Sequence, residues 1–169
     1  MDRFERQLIT HMPRLRRYAW ALKGSRERAD DLVQDCLARA LSRRHLWIRA
    51  KGMRPWLFTI MHNIHVNDVS RDARAPQEMA VDDFDHLADT RVGSEGHQAL
   101  EEIDQALQRL SPEHREIVLL VGLEQMPYKE ASIVLDVPIG TVMSRLARAR
   151  EQLREQLFES NIVGVTKIR

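Results

Sequence analysis

Apolar residues recur at three- and four-residue steps in separate runs along this chain, and each run predicts a helix. The first spans about Arg3 to Lys23 with Phe4, Leu8, Ile9, Met12, Leu15, Tyr18, Ala19 and Leu22 on one side, and Pro13 is expected to kink or interrupt it. Gly24 and Ser25 break the pattern. A second stripe, Leu32, Val33, Cys36, Leu37, Ala40 and Leu41, leaves Asp30, Asp31 and Asp35 facing outward. A loop from His45 to Gly52 leads to a third helix from Pro55, at its first position, to about Asp72. That helix is expected to bury Trp56, Leu57, Ile60, Met61 and Ile64, and it carries Asn63 and Asn67 four residues apart on one face.

From Ala73 to about Glu95 the periodicity fades while Asp, Ala, Pro and Gly accumulate, which predicts a flexible acidic linker. The helical period returns with Ala99, Leu100, Ile103, Ala106, Leu107 and Leu110. Ser111-Pro112 is a cap-and-start signal for a helix that buries Ile117, Val118, Leu120 and Val121 and is expected to end at Gly122. The expected fold is therefore all-α: two small helical domains, 1–72 and 97–169, joined by a linker over 73–96.

The segment 128–157 carries the most specific pattern. A short helix opens at Tyr128, with Pro127 expected at its first position, shows Ala131, Val134 and Leu135 on one face, and closes at Asp136 ahead of Pro138. A second helix follows from Gly140 and Thr141, with Val142, Leu146, Ala149 and Leu153 on its apolar side and Ser144, Arg145, Arg148 and Arg150 on other faces. Two helices at a tight turn, the second apolar on one side and basic on the other, fit a helix-turn-helix whose second helix enters the major groove. Arginines there pair bidentately with guanine or hold phosphate. A basic amphipathic helix that is only a solvated face would explain the arginines alone, but not the short first helix and turn beside them. The last helix is expected to fade after Phe158, leaving a frayed tail over 159–169.

The run PYKEASIVLDVPIGTVMSRLARAREQL resembles the promoter-reading domain of extracytoplasmic-function (ECF, group IV) sigma factors of bacterial RNA polymerase, in the sigma-70 family. Tyr128, Glu130, Ala131, Leu135, Pro138, Gly140, Thr141, Val142, Ser144, Arg145, Leu146, Arg148, Ala149 and Arg150 match that pattern. Pro127 stands where serine is usual, Ser132 replaces an alanine-like residue, and Met143 replaces a basic or polar one. The resemblance implies −35 contacts by Tyr128, Thr141, Met143, Ser144, Arg145, Ala147 and Arg148. Two further segments resemble the same family. ADDLVQDCLARAL (29–41) is similar to the polymerase-binding helix of region two, which implies that Asp31, Gln34 and Asp35 dock on the β′ clamp helices, with the β flap a second contact of core polymerase. MRPWLFTIMHNIHVNDVSR (53–71) is similar to the element that melts and reads the −10 box. That implies DNA contacts by Asn63, Asn67 and Arg71 together with the loop Ile48, Arg49, Ala50, Lys51 and Gly52, with Arg74 also placed for phosphate. Read without the family, the acidic helix start complements the helix dipole, Asn63 bonds locally, and Trp56 is core.

Charge changes the picture in one respect. The 169 residues carry 26 basic and 25 acidic side chains, a weak balance for binding DNA unaided. Basic residues are instead gathered locally, in Arg3, Arg6, Arg14, Arg16, Arg17 and Lys23 and in the recognition helix, against acidic runs such as Asp82 to Asp89. Promoter binding is thus expected to need polymerase as partner. The single cysteine, Cys36, excludes an internal disulfide and lies on an apolar stripe, so it is read as a small buried hydrophobe. His62 and His65 are too few for a metal site. No glycine-rich phosphate loop, nucleophile elbow or acidic cluster points to catalysis, and no cofactor is expected. With no signal peptide and no membrane-length apolar run, a cytoplasmic location is expected.

The reading that unites these features is an ECF-type sigma factor, controlled by an anti-sigma factor through the family resemblance. Two other classes stay open. A stand-alone helix-turn-helix regulator would not need the segments around Asp31 and Asn63. A sigma mimic that sequesters an anti-sigma factor would not need Arg145, Arg148 and Arg150.

Overall fold

A computed structural model describes residues 1–75 and 94–166, and these fold as helices, with no strand among them. In chain order they are α1 (Arg3–Lys23), α2 (Arg26–Ser42), α3 (Met53–Asp72), α4 (Ser94–Arg109), α5 (Pro112–Val118), α6 (Tyr128–Leu135) and α7 (Ile139–Thr166). Helices α1 to α3 pack on one another as a first domain, and α4 to α6 gather around α7 as a second. The expected linker lies mainly outside the described residues.

Local chemistry explains the helix ends. Asp2 accepts from the Glu5 amide at 2.9 Å while the Glu5 carboxylate accepts from the Asp2 amide at 3.0 Å, a reciprocal cap that starts α1. Gly24 ends α1 in the left-handed conformation, φ 66°. That choice also admits the neighbouring domain: a Cβ on Gly24 would lie 2.6 to 2.8 Å from the Gln108 amide group. Helix α1 continues through Pro13 without interruption. A proline inside a helix costs about 3 kcal/mol, and α1 offsets this by burying Phe4 and Leu8 before it and Leu15, Tyr18, Ala19 and Leu22 after it. The first domain closes on Tyr18 and Phe58, edge to face at 5.0 Å between ring centroids, a pair worth about 0.5–1.5 kcal/mol beyond its area.

Several boundaries differ from the sequence expectation. Helix α3 starts at Met53, two residues before Pro55, because Gly52 at φ 77° turns the chain directly into it. The expected loop over 45–52 contains two short 3₁₀ turns, 44–46 and 49–51. Gly122 does not end its helix: α5 widens into a π turn over Leu119–Leu123, and the chain leaves it through Gln125 at φ 51°. Pro127 sits at the cap of α6, not inside it. Helix α7 runs past Phe158 to Thr166, where a frayed tail was expected. Ile9, Leu41, Leu100 and Ile103, assigned to apolar stripes, are exposed.

His65 is 4 % exposed, and neither ring nitrogen has a hydrogen-bond partner among the described residues. Burial, with Lys23, Arg115 and His62 nearby, pushes its pKa down to about 3 against an ordinary 6.5. The unfolded chain therefore takes up this proton first as pH falls. Stability should be lost from about pH 6.5 downward toward pH 3, by up to about 1.4 kcal/mol per pH unit. Urea midpoints at pH 7, 6 and 5 test this. His65→Leu should flatten the wild-type slope, and an unchanged slope would show that other groups carry it.

Candidate nucleic-acid interface

The helix-turn-helix is α6, α7 and the turn between them. Ala131, Val134 and Leu135 of α6 and Val142, Leu146 and Ala149 of α7 are buried, which fixes how the second helix is rolled. Asp136 closes α6 in the left-handed conformation, φ 52°. The Ser132 hydroxyl donates to the Val137 carbonyl at 2.6 Å, so the residue that departs from an alanine-like pattern ties the turn to the helix before it.

On α7, Met143, Ser144, Ala147 and Arg148 are all exposed. Their spacing puts them on one face, with Met143 its largest apolar group at 53 % exposure. Thr141 is half-buried and Tyr128 is 38 % exposed at the start of α6. Arg145 turns aside, its guanidinium 3.8 Å from the Glu113 carboxylate. Of the expected −35 set, Arg148 is thus the exposed guanidinium. Arg150 is also exposed but falls between the apolar and reading faces.

In the first domain Asn63, Asn67 and Arg71 are exposed along one face of α3. Arg71 is held by Asp68 at 2.6 Å. Ile48, Arg49 and Lys51 are exposed, and Gly52 is half-buried where the loop enters α3, so this loop lies at the N-terminal end of the helix that carries both amides. The backbone of Ala50 belongs to the same 3₁₀ turn. Behind the loop, Trp47 and Trp56 meet Phe4 edge to face at 5.5 and 5.9 Å, and Arg44 lies over the Phe4 ring at 5.5 Å. Trp56 is therefore a packing residue, as its place on the apolar stripe of α3 predicts, and Trp47 is the member of this aromatic cluster that had no periodic signal in the sequence.

Asp31, Gln34 and Asp35 are exposed on α2, on the side opposite its buried Leu32, Val33, Cys36 and Ala40. Gln34 also lines an open groove with Arg16, Arg17, Trp20 and Leu37. Cys36 is fully buried and its thiol lies 3.6 Å from the Leu57 carbonyl, with its pKa pushed up to about 12 by burial. Among the described residues no group of histidine, cysteine and carboxylate side chains could hold a metal. His62 instead pairs across the molecule with Glu116, Nδ1 to Oε1 at 2.6 Å. Nor is any described helix long and apolar enough to cross a membrane.

Two helical domains, one ending in a helix-turn-helix and the other presenting amides beside a basic loop, define the sigma-70 class of transcription initiation factors. Residues 8–62 match the family described as the sigma2 domain of PhyR, and residues 100–153 match sigma-70 region 4. The chain is 33 % identical over 157 residues to the ECF RNA polymerase sigma factor EcfG of Rhodopseudomonas palustris, covering 93 % of this chain and 86 % of that one. It also superposes on the sigma factor RpoE of Bartonella quintana, solved in complex with the anti-sigma factor NepR, with a TM-score of 0.76, 29 % identity and coverage of 91 % and 96 % of the two chains. The anti-anti-sigma factor PhyR of the same organism shares the fold at a TM-score of 0.61 and 18 % identity, over 90 % of this chain but 49 % of that one. The chain belongs to the ECF RNA polymerase sigma factors.

Proposed function

We propose that this sigma factor recruits core RNA polymerase to a small promoter set and opens the −10 region, and that an anti-sigma factor of the kind bound by the Bartonella relative holds it inactive. One observation carries the reading: two polar, exposed helix faces on separate domains, Asn63 with Asn67 on α3 and Met143 with Ser144 and Arg148 on α7. The first domain, 1–72, contributes Asp31, Gln34 and Asp35 to the β′ clamp helices. The second, 97–169, meets the β flap and reads the −35 box, and the 73–96 segment joins them. RNA synthesis itself belongs to the polymerase, so no catalytic residue and no cofactor is assigned, and the site of action is the cytoplasm.

The proposed division of labour follows from what each face offers. Amides present a donor and an acceptor side by side, which suits the edge of a base already out of the stack, and unstacking costs a few kcal/mol that such a pocket recovers. An exposed arginine on a recognition helix suits intact duplex. The sigma-mimic reading draws on the family match of residues 8–62, but a decoy has no use for an exposed Arg148.

Run-off transcription with purified core polymerase tests this on two templates. Asn63→Ala should impair initiation on duplex promoter by about tenfold, the effect of about 1.4 kcal/mol withdrawn from the open complex, and a premelted bubble should recover most of the loss. Equal defects on both templates, with a lowered melting temperature, would make Asn63 a structural residue. No initiation by the wild type on any genomic promoter would overturn the sigma reading.

A further inference from the structure

We propose that the start of α7 recognises thymine by its methyl group, with Met143 as the selecting residue, so that the −35 box of this chain carries a fixed thymine where Met143 lies. The inference rests on the −35 reading above and deepens it by naming the base feature recognised.

The outer side of α7 consists of two parallel rows. Ile139, Met143 and Ala147 stand at four-residue steps and form an apolar ridge, with Ile139 at 42 % and Met143 at 53 % exposure. Beside it run Gly140, Ser144 and Arg148, also exposed. Eight steps at about 1.5 Å give a ridge about 12 Å long, the length of roughly three to four base pairs at about 3.4 Å each. The other side of the same helix, Val142, Leu146 and Ala149, is buried, so the roll that exposes the ridge is fixed by packing.

Over these first two turns the polar side chains are already occupied. The Ser144 hydroxyl donates to the Thr141 carbonyl at 3.2 Å, which spends its proton within the helix. The Arg145 guanidinium is drawn to 3.8 Å from the Glu113 carboxylate. An exposed guanidinium on this face comes only at Arg148. Nor does packing call for glycine at 140: a Cβ there would meet no neighbouring group within 4 Å, and its φ is not positive. Bare backbone at that point lets the helix start approach an outside surface closely.

An apolar ridge can discriminate only by what it covers. Placed over the exocyclic amine of cytosine or adenine, a thioether leaves a donor dry and unpaired. Thymine is the base with an apolar group in the major groove, its C5 methyl. Met143 is long, unbranched and polarisable, so it can close around that methyl. Charge favours DNA as the occupant, because Arg148 and Arg150 are exposed beside the end of the ridge, where guanidinium groups suit phosphates.

Promoters selected by the reconstituted holoenzyme from a library randomised over the −35 box should share a fixed thymine on one strand. Deoxyuridine in its place removes the methyl and leaves base pairing intact. Initiation by the wild type should then fall about fourfold, the effect of withdrawing one buried methyl group. Met143→Gln, similar in length but polar, should start lower on the thymine promoter and be indifferent to deoxyuridine. Met143→Leu should keep the response. A selected box without a fixed thymine, a wild type indifferent to deoxyuridine, or a Met143→Gln variant that still responds would each overturn the methyl readout. So would a loss of core-polymerase binding by Met143→Gln in the absence of DNA, which would make the ridge a protein contact. A wild type that enriches no −35 sequence would overturn the −35 reading itself, and the methyl readout with it.

Discussion

Asp31→Arg combined with Asp35→Arg should abolish holoenzyme formation. Both carboxylates are exposed on α2, away from the buried Leu32, Val33 and Cys36, so the helix should fold as before. Surface replacements of that kind shift stability by no more than about 0.5 kcal/mol. On the docking face the change is large. Two negative groups become two positive ones where the clamp is expected to be complementary, and like charges brought together at an interface cost several kcal/mol. Native gel shifts with core polymerase should show no complex at concentrations that saturate the wild type, with circular dichroism unchanged. A normal shift would move the polymerase surface elsewhere, with the Arg16, Arg17, Trp20 and Leu37 groove the next place to look.

Arg148→Ala should produce the second large effect, and a selective one. This guanidinium is exposed on the same face of α7 as Ser144, whereas Arg145 is drawn toward Glu113. Losing one base or phosphate contact removes about 1–3 kcal/mol, so initiation from a promoter with a −35 box should fall about 5- to 150-fold. Core binding should be untouched. Arg145→Ala should cost less, because its side chain is already committed within its own domain. Equal losses in polymerase pull-down and in transcription would remove Arg148 from the DNA face.

The sequence disclosed most of the helices and little of how the two halves meet. Stripes such as Leu15, Tyr18 and Leu22, or Val142, Leu146 and Ala149, are periodic because one side of a helix is dry, and periodicity is what a sequence displays. Asn63 and Asn67, and Ser144 with Arg148, were legible as exposed faces for the same reason. Glu116, Glu124 and Glu130 were not. Glu124 meets Arg17, Glu130 meets Arg54 and Glu116 meets His62, partners distant in sequence that leave no periodic trace, and each acid reads locally as an ordinary helix-end charge. One signal was available: Glu124 directly follows the apolar run LLVGL, a setting in which a carboxylate needs a partner from elsewhere in the chain. Glycine at 122 and fading periodicity after Phe158 weaken a helix without stopping it, so the chain continues into the π turn over Leu119–Leu123 and, in α7, on to Thr166.

Gly24 bears on how freely the two halves of such a chain could be exchanged. Its position is fixed by the end of α1, yet the space it leaves empty is filled by Gln108 from the other half, whose amide holds the Ala21 carbonyl. A hybrid built by grafting the second half of a relative onto this first half would keep every helix and still lose registration if the grafted residue at 108 were shorter. The converse hybrid, with a side chain at position 24, would push that amide off its carbonyl. Positions 24 and 108 would thus have to be inherited together in any such exchange.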